Sequence, residues 1–466
     1  MPILRPKRLL VERLEVRDCP ALTVSLLPTA LIITGTPNGD LTIVGQASGK
    51  FEIKNGAAVI GQFDLNRNLQ LNLRSLPGEL EIDLAGKTIG GNVVINLGNG
   101  STKANTTIDI FSTGTPGTIA GHVTILGGNG KEFFGLGGQK VGANPLTPLP
   151  VQFAGNVTIA AKTGALANGD QLQVGAGTKI QGSLTTSQVD QVSIGEQNGA
   201  LTTVGGAVSI TTTGATPGTL VTMYGAFGKS VTVNAAASTT SGFNSFSTNG
   251  VAAGIDTTIG GNLSVSFGTA LGGNIYEILR AASGETAVVN GSVNFTSSNR
   301  AVAPLTDLYD VQGQIDGNLT LNMGSGDNEV LFAKAGYVGG NLTIRSQGAG
   351  SSDIKLNGQV GSGSSLSGNV FISLGNGVNT VDVNSDAIQG KLTYRGGNGT
   401  NNVTLNPPTA TTFNVDMLFG TGTNKLDLSS NLTTLTGVVT GSGGANTFLQ
   451  SGATLLETLR LIRFPV

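Results

Sequence analysis

The chain has no tryptophan, one cysteine and one histidine in 466 residues. Aromatic residues make up 5% and charged residues 12%, so a single large core anchored on aromatic side chains is not expected. Cys19 has no second thiol to pair with, which rules out an internal disulfide. A lone His and a lone Cys supply neither a zinc cluster nor a His-based triad. No catalytic residue, metal ligand or cofactor is therefore assigned. The net charge is −2, with no basic run after the first 17 residues, so the electrostatic footprint of a nucleic-acid binder is missing. No run of about 18 uninterrupted apolar residues exists, so no transmembrane helix is expected.

What the chain does have is glycine, 72 of 466 residues, roughly twice the ordinary ~7%. Much of it recurs in one phrase: glycine, a small or polar residue, Leu or Val, a polar residue, an apolar residue. It reads "GDLTI" at Gly39, "GNVVI" at Gly91, "GHVTI" at Gly121, "GNLSV" at Gly261, "GNLTL" at Gly317, "GNLTI" at Gly340 and "GKLTY" at Gly390. With further copies at Gly155, Gly206, Gly291 and Gly368 and weaker ones at Gly182 and Gly228, neighbours from Gly91 onward lie 22 to 34 residues apart, the range of repeats that must stack to bury an apolar side. Period-two alternation makes each phrase a strand with one face inward, so Leu319 and Leu321 point in and Thr320 out.

A glycine corner follows seven residues later, at Gly98, Gly128, Gly324, Gly375 and Gly397, where tolerance of positive φ favours glycine. A second strand comes after it, as in "VDV" at Val381 and "VTL" at Val403. Each phrase matches the next coil and not its own neighbour, so the predicted fold is all-β, a parallel β-helix of about fifteen coils forming a rod on the order of 70 Å long. The third side is the variable one, with loops such as 137–154 and 406–413 absorbing length differences. The division expected is 1–21 as an export leader, 22–90 as N-terminal coils and cap, 91–451 as the β-helix, and 452–466 as a C-terminal cap with apolar positions at helical spacing.

Residues 1–21 read as a short charged amphipathic segment ended by Pro20, without the continuous apolar stretch of an ordinary secretory signal. Its end, "LEVRDCPA" from Leu14 to Ala21, resembles the LE-x-R-x-x-PA leader of large secreted or surface proteins of planctomycete bacteria. The following "ALIITGTPNGDLTIVG" resembles the strand-turn-strand phrase that often comes next in them. The resemblance spans about 45 residues and implies a secreted or cell-surface location, not an activity.

A second resemblance is local. "GGNGTNNV", Gly396 to Val403, is similar to the calcium-binding nonapeptide GGxGxDxUx of RTX proteins. Here Asn401 stands where aspartate would, with Asn379, Asn424, Asn446 and Asn328 as its counterparts in other coils. Stacked carboxylates need a cation between them, whereas amides can donate to one another. The expectation is therefore a structural asparagine ladder, with Asn401→Asp destabilising unless calcium is added.

His122 takes the outward polar position of "GHVTI" and reads as a surface substitution. Asp109, Asp382 and Asp427 sit between apolar residues and are expected to face outward. The best acid cluster for a pectin-type enzyme is "APLTDLYDVQGQID", with Asp307, Asp310 and Asp316 beside Tyr309, and Arg280 about one coil earlier; decoration of a solvated loop is the plainer reading. The expected function is an exported, non-catalytic structural or adhesive solenoid, with extracellular polysaccharide or cell-envelope components as partners. The alternatives are a polysaccharide lyase or hydrolase, or an RTX-like calcium-binding module.

Overall fold

A computed structural model describes residues 22–98, 106–138, 150–162, 169–197, 199–212, 218–235, 242–251, 254–270, 272–280, 284–298, 306–360, 368–385, 388–409, 411–429, 432–451 and 455–464. The leader reading of 1–21, Cys19 included, lies outside these residues. Among the described residues there is no helix, and none that could cross a membrane.

The strands stack into three sheets, of eighteen, eighteen and 11 strands. A coil runs from a first-sheet strand such as Val123–Leu126 to a second-sheet strand, Glu132–Leu136, and a third-sheet strand, Val151–Phe153, before returning at Val157–Ala160. Equivalent strands pair in parallel and in register, Val123 over Val93 and under Val157, Ile125 over Ile95 and under Ile159. This is the predicted β-solenoid. It makes about 12 turns, against the fifteen expected. Among the described residues the third side begins at Thr88–Ile89 and ends at Gln359–Val360, beyond which an isolated bridge joins Val360 to Ile388. The last coils pair on two sides.

Inward positions carry the alternating apolar residues, and they form one continuous core from Leu31 to Phe464. Leu319 and Leu321 are buried in it, as expected, and Thr320 is not. Burying a Leu or Val in this way contributes about 1.5–3 kcal/mol per side chain. The third side is too short for alternation to show: Gly117–Ile119 and Tyr337–Val338 each insert one apolar residue, Ile119 and Val338. Length variation is not confined to the third side. The first-to-second corner also stretches, from Asn96 to Thr106 and from Ser297 to Asp307, while it spans only Met323 to Asn328 elsewhere.

Both ends depart from the repeat. At the N-terminus, Leu22–Leu26 runs antiparallel to Ala30–Gly35, and Leu41–Gly45, Phe51–Asn55 and Ala58–Phe63 form an antiparallel meander. At the C-terminus the helical spacing misleads. Leu455–Ile462 is a strand that extends the first sheet in parallel from Leu432–Gly441.

The repeated Gly-Asn pair has a specific physical cause. Asn92 Oδ1 accepts the backbone N–H of His122 at 2.8 Å, and the same bond recurs from Asn341 to Asn318 and from Asn369 to Asn341, each at 2.8 Å. An exposed side-chain ladder thus follows the corner leading into the first sheet. The glycine before each rung leaves room for the acceptor below: a Cβ at Gly121, before His122, would lie 2.4 Å from Asn92 Oδ1. At the other corner Gly98 does have positive φ, 54°. Gly397 does not, and is required there because a Cβ would meet the Gly375 carbonyl oxygen at 2.3 Å.

His122 belongs to this exposed ladder. Its Nδ1 accepts the Asn156 N–H at 2.9 Å, as an asparagine oxygen would. Its outward, exposed position is as expected, and the imidazole does a definite job there.

Candidate functional site

Three places can be examined for chemistry: the interior polar column, the acid cluster read from the sequence, and the outer faces of the sheets.

From Thr106 onward the second-sheet strands begin at or beside an inward polar residue, and these residues stack. From Asn379 to Asn446 the column is an amide ladder: Asn379 Nδ2 donates to Asn401 Oδ1 at 3.0 Å, Asn401 Nδ2 to Asn424 Oδ1 at 2.8 Å, and Asn424 Nδ2 to Asn446 Oδ1 at 2.7 Å. The same amide nitrogens donate to corner carbonyls, Gly375, Gly397 and Gly420, each at 2.9 Å. Tyr394 donates its hydroxyl to Asn401 Oδ1 at 2.9 Å, and Asn446 Nδ2 closes the end on the Arg463 carbonyl at 2.8 Å. The buried amide nitrogens are all satisfied by hydrogen bonds. The ladder expected at Asn379, Asn401, Asn424 and Asn446 is therefore present.

Asn328, also expected, holds the same register position upstream. The column continues as well where the sequence did not signal it, through Ser352, Asp307, Asn274, Asn244, Thr219, Asp190, Asp170, Glu132 and Thr106, all buried. Asn244 Nδ2 donates to Asn274 Oδ1 at 3.0 Å. In the acid stretch the backbone N–H of Glu132 donates to Asp170 Oδ1 at 2.7 Å, and the Gly128 N–H to Glu132 Oε1 at 2.8 Å. Burial first, and then the neighbouring Asp170 charge, push the Glu132 carboxyl up to about 8. Burial likewise pushes Asp170 up to about 6. The Glu132–Asp170 pair thus holds on to a proton to higher pH than free carboxyls do.

The acid cluster read from the sequence does not assemble. Asp307 starts the strand Asp307–Val311, not a loop, and points inward as a ladder rung that accepts the Asn274 N–H at 2.8 Å. Tyr309 is also inside, stacked on Tyr276 with ring centroids 4.7 Å apart and planes at 4°. Both hydroxyls reach Ser297 Oγ, at 3.0 and 2.9 Å, and burial raises both phenols far above their usual range. Asp310 faces outward and accepts from Gln312 Nε2 at 2.9 Å. Asp316 lies at an exposed corner and accepts from Gln314 Nε2 at 2.7 Å. Arg280 turns to the Gly284 carbonyl at 3.1 Å. The strand's alternation separates groups that are close in sequence.

Asp109 departs from expectation too, being buried rather than at the surface. Asp382 and Asp427 face outward, as expected, and Asp427 pairs with Lys425 at 3.0 Å. Among the described residues no group of three or more His, Cys, Asp or Glu side chains is arranged to hold a metal ion.

The outer faces differ in chemistry. On the first sheet, one outward column runs through Thr124, Thr158, Thr185, Ser209, Thr232, Ser264, Asn294, Thr320 and Thr343, in register throughout. All are uncharged hydroxyl or amide side chains. On the second sheet, a cleft of about 270 Å³ has Phe133, Leu220, Gln171, Gln173 and Gln191 on its walls. Further along, a cleft of about 540 Å³ is acidic, with Asp327, Glu329, Asp353 and Asp382 around Lys355. Lys355 Nζ lies 2.9 Å from Asp353 and 3.5 Å from Glu329, which raises its pKa, Asp353 contributing most. A third cleft, about 530 Å³, lies at the N-terminal end between Leu22, Val24, Leu26, Asn55, Ile60 and Phe63.

The fold places the chain among parallel β-solenoid proteins. No protein-family model, no curated protein and no solved structure matches the chain.

Proposed function

We propose that this protein is an exported, non-catalytic structural or adhesive solenoid of the cell surface or extracellular matrix, which contacts neutral polysaccharide along its first-sheet face. The observation that carries this reading is the outward column from Thr124 to Thr343, which repeats an uncharged hydroxyl or amide at every coil. Parallel strands are spaced about 4.8 Å apart, so the column offers hydrogen-bonding groups at regular intervals. Each contact is weak alone, and many in a row add through effective concentration. The separation of Asp307, Asp310 and Asp316 into different environments supports a binding role over hydrolysis or elimination. The leader resemblance supports export.

Co-sedimentation of the purified protein with insoluble neutral and acidic polysaccharides, with released sugar assayed in the same tubes, tests the reading. Binding to a neutral polymer without sugar release is expected, and Thr232→Glu weakens it several-fold. Release of reducing or unsaturated sugar, or recovery of the native protein only from the cytosolic fraction of its source cells, contradicts the proposal.

A further inference from the structure

We propose that an ordered water molecule is built into the interior ladder at the Ser352 rung, occupying the place that an asparagine amide nitrogen takes in the neighbouring coils.

The amide ladder has a direction. Wherever two asparagines follow each other, Nδ2 of one rung donates to Oδ1 of the next, as from Asn244 to Asn274, Asn379 to Asn401 and Asn401 to Asn424. A rung without an amide cannot make that donation. Three such rungs precede asparagines: Thr219 precedes Asn244, Asp307 precedes Asn328, and Ser352 precedes Asn379. At the first, the Thr219 backbone N–H donates to Asn244 Oδ1 at 3.1 Å instead; at the other two the following Oδ1, Asn328 Oδ1 and Asn379 Oδ1, is buried without a partner, and so is Ser352 Oγ. Asn328, Ser352 and Asn379 are 2%, 1% and 0% exposed, so bulk solvent does not satisfy them. Each buried polar atom left unbonded costs about 1–3 kcal/mol.

The Ser352 rung has the partners a water needs. Asparagine nitrogens in this column also reach the carbonyls four and two residues earlier, Gly397 and Gly399 for Asn401, at 2.9 and 3.3 Å. For Ser352 the equivalent carbonyls are Gly348 and Gly350. The serine side chain is shorter than asparagine by the carboxamide, and its hydroxyl makes no bond to either of them. Successive rungs lie about 4.8 Å apart, too far for a direct bond between rungs without an amide's reach and suited to one bridging oxygen. A water there donates to Asn379 Oδ1 and to a corner carbonyl and accepts from Ser352 Oγ, within the two to four bonds usual for buried water.

A crystal structure at a resolution that orders solvent is the test. The expected result is a water peak within about 2.7–3.2 Å of both Ser352 Oγ and Asn379 Oδ1. In Ser352→Asn the new amide nitrogen takes its place, the water is gone, and the melting temperature rises by about 1–3 °C. Ser352 Oγ bonded directly to Asn379 Oδ1, a metal ion in place of the water, or a wild-type map without the peak overturns the proposal. So does a folded Ser352→Asn variant that retains the water.

Discussion

The interior column has two stretches built from different chemistry at the same register position. From Asn379 to Asn446 each rung donates its amide through 2.7–3.0 Å bonds, to the next rung or, at Asn446, to the Arg463 carbonyl, and Asn401, Asn424 and Asn446 also accept from the rung before. From Glu132 to Asp190 every rung is a carboxyl group, which as an anion can only accept, so a proton has to be retained. The same backbone scaffold therefore yields a pH-indifferent stretch and a pH-sensitive one. What the fold demands at this position is burial and hydrogen bonding; which groups supply it decides how stability responds to solution conditions.

The largest effect that would break this comparison is a charge placed in the amide stretch. Asn401→Asp removes donors to Gly397, Gly399 and Asn424 and leaves an unpaired buried anion, with an expected loss of about 3–5 kcal/mol. Asn402→Asp, one residue on and facing outward, changes stability by no more than about 0.5 kcal/mol. Denaturation midpoints of the two variants check this, and equal shifts would refute the inward assignment.

The acid stretch gives the next effect, with the opposite sign from most carboxylates. Because the folded-state pKa of Glu132 is raised from 4.5 to about 8, the folded protein binds the proton more tightly than the unfolded chain. Stability is then greatest below about pH 4.5 from this group and falls as pH rises toward 8. Asp170, raised from 3.8 to about 6, adds a fall in the same direction. Glu132→Gln keeps an N–H to share and removes the ionisation, so its melting temperature exceeds that of the wild type at pH 8 and its pH slope is shallower. Parallel melting curves across pH 4.5 to 8 for the two proteins would disprove the retained proton.

The smallest effect sharpens the contrast between the interior column and the exposed ladder. His122→Asn preserves the acceptor for the Asn156 N–H and is expected to leave stability unchanged within about 0.5 kcal/mol. His122→Ala loses that bond, about 0.5–1.5 kcal/mol. A thermal-shift comparison of both separates acceptor chemistry from imidazole-specific chemistry.

How much of this could be read from the sequence follows from residue type and strand length. The first-sheet strands were legible because Leu319, Thr320 and Leu321 alternate over a glycine-marked period. The amide ladder at Asn379, Asn401 and Asn424 was legible because one residue type recurs after the same corner. Its continuation through Glu132, Asp170, Asp190 and Thr219 was not, because the rungs change identity and share only a register. In "DLYDV" the apolar Leu308 faces outward while Asp307 and Tyr309 face in, which inverts the usual sign of the pattern and made an interior rung look like a loop acid. Third-side strands of two residues, such as Lys179–Ile180, are too short to show any period. In Leu455–Ile462, leucines at 455, 456, 459 and 461 mimic helical spacing until the neighbouring strand imposes an extended backbone.

Hydrogen exchange of asparagine side-chain amides, followed by NMR on the intact protein, tests the stacked interior column most directly. The side-chain NH₂ groups of Asn379, Asn401 and Asn424 should exchange as slowly as core backbone amides, while those of outward Asn402 and exposed Asn414 exchange at solvent rates. Rapid exchange at Asn401 would contradict a continuous, solvent-sealed ladder along the rod.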